Sequence, residues 1–171
     1  QEAEQTVECG MLKKIVSGEQ TGVDRGALDA ALGAGFPCGG WCPEGRLAED
    51  GRIADRYPVT ELAGAGYRQR TRQNVIDSDG TLVICFGVPT GGTLETVRFC
   101  ERFKRPVLVT DAAVIDSAAA AALAAEFVKA HSIAVLNVAG PRESTRAGAE
   151  AVAKEVVAKL INTIAHSRHR S

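Results

Sequence analysis

Three places in the sequence put glycine where a strand-like run gives way to a helical pattern: Ser17-Gly18, Thr90-Gly91-Gly92-Thr93 and Ala139-Gly140-Pro141-Arg142-Glu143-Ser144. Such junctions favour anions. The first amides of a helix have no partner within it and carry the positive end of its dipole. Glycine has no Cβ to hold a phosphate away from the backbone. One such junction is as readily a tight turn, but three in a chain of 171 residues point to an anion site. Thr93 adds a hydroxyl at the second. Arginine supplies the complementary chemistry, because its planar fork grips phosphate oxygens in pairs. Arg25, Arg46, Arg70 and Arg142 each fall in or beside a segment that reaches the same edge. Arg70 also shares a helical stripe with Tyr67, Asn74 and Asp77, a polar face that needs solvent or a ligand head group against it.

Other chemistries are poorly represented. Neither G-x-G-x-x-G nor G-x-x-x-x-G-K-[ST] is intact, which argues against an ordinary dinucleotide or Walker-type site. Cys38 and Cys42 flank Gly39-Gly40-Trp41 without a second Cys/His pair, a poor zinc pattern. His131, His166 and His169 fall near helix ends and the tail, and no Ser-His-Asp or Cys-His arrangement can be assembled. No metal site and no catalytic residue is therefore assigned. Glu95, just after the glycine pair, reads as an acid that complements a helix dipole; it becomes a proton donor only under a hydrolase reading.

The elements that would position these residues alternate. Lys13–Ser17 is a short strand, and Val23, Ala27, Leu28, Ala31 and Leu32 recur at helical spacing until Gly33 and Gly35 stop the run. Thr21 with Asp24 three residues later predicts a capping box at its start. A short strand near Cys38–Trp41 opens an irregular, Gly- and Pro-rich segment that extends to residue 60, long enough to suggest a functional loop. Gly66–Asp77 reads as the polar-faced helix, Thr81–Phe86 as a buried strand and Pro106–Val109 as another. Between these two strands lies a helix carrying Leu94, Val97, Cys100 and Phe103. Asp116 or Ser117 caps an alanine-rich helix running to about Lys129, followed by a strand over Ile133–Val138 and a helix carrying Val152, Val156, Leu160, Ile161 and Ile164. This order predicts an α/β fold: a Rossmann-like three-layer sandwich, with a mostly parallel sheet and helices on both faces. Residues 11–165 form one ligand-binding domain, between an extension over 1–10 and a tail over 166–171.

Composition fits this reading. A net charge of -1 argues against a nucleic-acid partner, and no apolar run approaches membrane-spanning length. Five cysteines, an odd number, fit a reducing cytoplasmic setting better than a disulfide framework. The apolar helix face around Phe99 and Phe103 offers a surface for a homodimer or homotetramer.

Read in order, these segments resemble the molybdenum cofactor carrier proteins. Ser17-Gly18-Glu19-Gln20-Thr21-Gly22-Val23-Asp24-Arg25 is similar to that family's opening, in which a second glycine often stands where this chain has Glu19. Gly39-Gly40-Trp41-Cys42-Pro43-Glu44-Gly45-Arg46 and Glu49-Asp50-Gly51 continue the likeness. So do Tyr67, Arg70-Thr71, Asn74-Val75, Asp77-Ser78-Asp79-Gly80-Thr81, the Gly91-Gly92-Thr93 turn and the stretch from Ala139 to Ser144. The likeness spans Met11 to Ile161. It implies a circularly permuted branch of the superfamily of LONELY GUY phosphoribohydrolases, proteins that have Rossmann-like folds and usually oligomerise. It also implies binding and protection of the molybdenum cofactor, a pterin with a dithiolene-held metal and a terminal phosphate. The matching positions bring Gln20, Gly22, Gly40 and Ser144 into the implied site beside Gly18, Thr21, Arg25, Arg46, Arg70, Asn74, Asp77, Gly91, Gly92, Thr93 and Arg142. Trp41 or Tyr67 would stack on the pterin. The hydrolases carry P-G-G-x-G-T-x-x-E. Here the position three after the threonine is Thr96, with Glu95 about 100° of helix away, which counts against hydrolysis by the same route. The alternatives are a nucleotide or nucleoside-phosphate hydrolase and a nucleotide-sensing domain.

Overall fold

The computed structural model describes residues 11–167. The chain runs through β1 (Lys14–Val16), α1 (Val23–Gly33), β2 (Cys38–Gly39), β3 (Trp41–Pro43), β4 (Leu47–Ala48), β5 (Gly51–Arg52), β6 (Thr60–Leu62), α2 (Tyr67–Ile76), β7 (Gly80–Cys85), α3 (Gly91–Arg102), β8 (Val107–Asp111), α4 (Ser117–Ala130), β9 (Val135–Ala139) and α5 (Ala149–Ser167). The central sheet has the order β2-β1-β9-β7-β8, and every pairing within it is parallel. From β1 the chain steps outward to β2; from β7 it steps outward the other way to β8; β9 then returns between β1 and β7. The sheet therefore has a switch in winding direction next to β9, where parallel sheets place ligands beyond their carboxyl ends.

The two faces divide the helices. Ile15, Leu82, Ile84, Leu136 and Val138 pack in one cluster with Val23, Ala27 and Ala31 of α1, Ala124 and Phe127 of α4, and Ala153, Val157 and Leu160 of α5. Small residues let α1 and α5 cross closely: a Cβ on Gly26 would lie 2.2 Å from the Glu150 carbonyl oxygen. On the other face Val75 of α2 meets Phe99 and Cys100 of α3, with Phe103 and Val107 beside them. This is the three-layer arrangement the alternating pattern predicts. Phe99 is buried within the chain and Phe103 is half-buried, with arginines laid against both rings. The Arg68 guanidinium lies 5.2 Å from the Phe99 ring, and those of Arg72 and Arg102 lie 5.1 and 5.7 Å from that of Phe103. The face expected to serve an oligomer is thus spent on α2.

Local differences have local causes. The strand expected at Cys38–Trp41 breaks into β2 and β3 at Gly40, whose φ of 126° turns the chain out of the main sheet. Backbone passes so close that a Cβ there would sit 2.1 Å from the Ser17 carbonyl oxygen. The segment to residue 60 is ordered. β3 pairs in parallel with β6, β4 pairs antiparallel with β5, and Leu28, Cys42, Ala48, Ile53, Tyr57 and Val59 bury a small core of their own. The strand expected at Pro106–Val109 is an edge strand with Val109 exposed, not a fully covered one. Asp116 caps α4, accepting a hydrogen bond from the Ala119 amide at 2.8 Å. Asp116→Ala is expected to destabilise the protein by about 1 kcal/mol in chemical denaturation; an unchanged midpoint would show that the cap contributes nothing.

Candidate functional site

A cleft of about 480 Å³ opens at the carboxyl end of the sheet. Its walls come from the turn after β1, from α2, from the N-terminal turn of α3 and from the chain after β9. All three glycine junctions contribute, through Gly18, through Thr90 to Thr93, and through Ala139 to Arg142 with Ser144. They do not contribute alike. The start of α1 is covered by the chain after β9: the Val23 amide donates to the Pro141 carbonyl at 3.2 Å, and a Cβ on Gly22 would lie 2.3 Å from that same oxygen. After β9 the chain runs on for nine residues before α5 begins at Ala149, so no helix starts directly at Gly140. Only α3 presents an open N-terminus. No side chain caps it, Gly91 and Gly92 are exposed, and a Cβ on either would meet nothing within 4 Å.

The floor of the cleft is built around Arg70. Residue 18 must be glycine for Arg70 to lie where it does, because a Cβ there would fall 1.5 Å from Nη1. Nη1 donates to Asp24 Oδ2 at 3.0 Å, and both side chains are about nine-tenths buried. Burial pushes the Asp24 carboxyl up, against the pull of Arg70. Gln20 also lines this floor. Its Oε1 accepts from the amides of Thr21 at 3.1 Å and Glu49 at 2.8 Å, which fixes which way the side-chain amide faces. Two buried donors are left without partners, Gln20 Nε2 and Arg70 Nε. On the wall, the Arg142 guanidinium lies 4.8 Å from the Tyr67 ring centroid, and Arg68 pairs with Glu95.

Of the positions expected from sequence, Gly18, Gln20, Arg70, Asn74, Gly91, Gly92, Thr93, Arg142 and Ser144 line the cleft. Asn74 is already engaged, accepting from the Trp41 amide at 2.8 Å and donating to the Trp41 carbonyl at 3.0 Å. The remaining positions act behind the walls. Gly22 and Gly40 let backbones approach, and Trp41 Nε1 donates to Asp77 at 2.8 Å. Thr21 does not cap α1, where Gly22 takes the N-cap position; its hydroxyl donates to Glu49 and accepts from the Glu143 amide. Glu49 also accepts from Ser144, and these hydroxyls hold its carboxyl below the usual range. Arg25 pairs with Glu19 and Asp50. Arg46, with φ 53°, donates to the carbonyls of Ile53, Ala54, Tyr57 and Val59 and so ties the segment between β3 and β6 together. Asp24, Arg68, Thr96, Asn137 and Thr145 line the cleft without having been assigned to the site from sequence. No local signal marks Asp24 as the partner of Arg70, which is 46 residues away.

Residues 15–161 match the circularly permutated YpsA SLOG family. The chain belongs to that family. A crystal structure of a "Putative molybdenum carrier protein" from Syntrophus aciditrophicus SB is similar to it at 41% identity and a TM-score of 0.86, over 89% of this chain and 96% of that one. No functionally curated protein matches the chain. The family supports a ligand-binding role, and the cleft lies at the switch in the sheet, where parallel folds place ligands. Among the described residues no helix is long and apolar enough to cross a membrane. Nor is any group of three His, Cys, Asp or Glu placed to hold a metal ion there.

Proposed function

We propose that the cleft carries the molybdenum cofactor or a close relative, a phosphate-bearing heterocycle, with the phosphate on the open N-terminus of α3. One observation bears most of this reading: Gly91 and Gly92 leave the first amides of α3 uncapped and unobstructed in a cleft with arginines on its walls. Free amides, a helix dipole and Thr93 suit a phosphate, and Arg142 lines the same cleft. The volume suits a ligand of cofactor size. Molybdenum would stay on the ligand's own sulfurs, since none of the four described cysteines lines this cleft. The protein's part is to bind and shield. Glu95 is held by Arg68 and serves the wall, and no proton-transfer role is assigned to it.

The reading is tested by mixing the protein anaerobically with molybdenum cofactor and following cofactor decay. Saturable protection is expected; decay that is unaffected at high protein concentration would overturn the proposal. Gly92→Val places a branched side chain beside the open amides, at a position where a Cβ meets nothing within 4 Å. It is expected to weaken binding about tenfold or more, which is ~1.4 kcal/mol, with thermal stability little changed. Equal binding by the variant would move the phosphate elsewhere.

A further inference from the structure

The floor of the cleft offers a pattern that a phosphate site does not require. Gln20 Nε2 and Arg70 Nε are buried donors with no acceptor among the described residues, on residues more than nine-tenths buried that both line the cleft. Beside them Asp24 spends Oδ2 on Arg70 and on the Gln20 amide, while Oδ1 takes no hydrogen bond from the described residues. A buried donor left unmet is costly, and the open Asp24 oxygen is free to accept a further hydrogen bond. A ligand edge that answers both must carry an acceptor next to an N–H. The charge balance narrows the choice further. Asp24 already neutralises Arg70, so the floor calls for a neutral acceptor rather than a second full anion. On the wall of the same cleft the Arg142 guanidinium lies over the Tyr67 ring, 4.8 Å from its centroid, a stack that a planar heterocycle can extend.

We infer that the floor of the cleft reads the lactam edge of a heterocycle, its C=O taken by Gln20 Nε2 and Arg70 Nε and its adjacent ring N–H by Asp24. The donors lie just beneath the floor, so a small settling of Arg70 and Gln20 onto the ligand accompanies binding. This inference rests on the proposal that α3 holds the phosphate, and it adds what the rest of the ligand must look like. Pterins, guanine and hypoxanthine present such an edge. Adenine presents the reverse, a donor where the floor has donors and an acceptor where it has a carboxylate. A site whose buried groups would be left unpaired discriminates strongly against the wrong pattern.

The test is titration calorimetry with guanosine, inosine and adenosine monophosphates, which share a phosphate and differ at this edge. Both lactam nucleotides are expected to bind at least about tenfold more tightly than the adenosine one. Inosine monophosphate separates the lactam from the guanine amino group. Gln20→Glu keeps an acceptor for the Thr21 and Glu49 amides and replaces the donor with a carboxylate oxygen, which opposes a lactam C=O and suits the adenine amino group. It is expected to abolish most of the preference, read as the ratio of guanosine to adenosine monophosphate affinities within the same variant, so that any loss the added charge imposes on all three nucleotides cancels. Equal affinity for the three nucleotides would overturn the lactam reading and leave the phosphate site standing. If none of them binds, the inference falls even where the molybdenum cofactor is protected. If the cofactor is unprotected as well, the underlying proposal falls with it. A preference that persists unchanged in Gln20→Glu also overturns the assignment.

Discussion

Replacing Arg70 with methionine is expected to cost the protein on the order of 3–5 kcal/mol, because it strands a buried carboxylate. Arg70 and Asp24 are 10% and 7% exposed and 3.0 Å apart, so solvent cannot take over the missing charge, and Arg142 acts on Asp24 more weakly than Arg70 does. The cost is that of leaving Asp24 unpaired rather than the net worth of the pair, and this distinction can be measured. Asp24→Asn removes the charge that Arg70→Met leaves behind, so the double variant should be more stable than the sum of the single losses implies. Acidity should help the single variant too. With Arg70 gone, burial holds the Asp24 carboxyl above its unfolded value, so its neutral form is favoured at low pH. The deficit is then smallest below the unfolded carboxylate pKa and grows as pH rises past it. Urea denaturation of the three variants at mildly acid and neutral pH provides the check. An Arg70→Met variant within about 1 kcal/mol of the parent would mean that the pair behaves as a surface ion pair.

The same pair shows how far the sequence can be read. Helical periodicity exposed α1 and α5, alanine content with a cap exposed α4, and an unbroken apolar run exposed β7, because each signal is written in consecutive positions and each element buries apolar residues in the same core. The glycine junctions were visible as turns, and the fold's parallel pairing brings all three to one cleft. Which of them stays open depends on contacts that no local pattern encodes: Pro141 lies against Gly22, whereas nothing lies against Gly91 or Gly92. Arginine assignments met the same difficulty. Arg25, Arg46 and Arg70 look alike in sequence, yet the segment between β3 and β6 gives Arg46 four carbonyls, Asp50 joins Glu19 on Arg25, and only Arg70 is turned into the cleft. That segment has no period, and its order comes from its own small core and from Arg46. Thr21 illustrates the reverse case, in which a sound local rule gives way to a tertiary partner: its hydroxyl is taken by Glu49, 28 residues on, and a glycine begins the helix.

Glu19 should make stability fall with rising pH across the neutral range. It stands where the resembling family's opening often has glycine, and its φ of 55° is the left-handed conformation that glycine adopts freely. Its side chain is fully buried, Oε2 has no partner, and Oε1 accepts from Arg25 Nε at 3.1 Å. Burial outweighs the attraction of Arg25 and pushes the carboxyl up to about 8. Folded and unfolded chains both hold the proton well below pH 4.5, the group's ordinary value. Between there and about pH 8 the unfolded chain releases it and the folded chain does not. This contribution is therefore fully present in acid, is lost as pH rises, and levels off once the folded group ionises. At about 1.4 kcal/mol for each pH unit between the two values, the swing is on the order of 5 kcal/mol. Glu19→Gln keeps an oxygen for Arg25 and cannot ionise. The difference in unfolding free energy between the two proteins should therefore move steadily in favour of glutamine from mildly acid to mildly alkaline pH, while groups common to both cancel. Parallel stability curves would show that Glu19 is ionised in the folded protein throughout, with Arg25 strong enough to hold the charge despite burial.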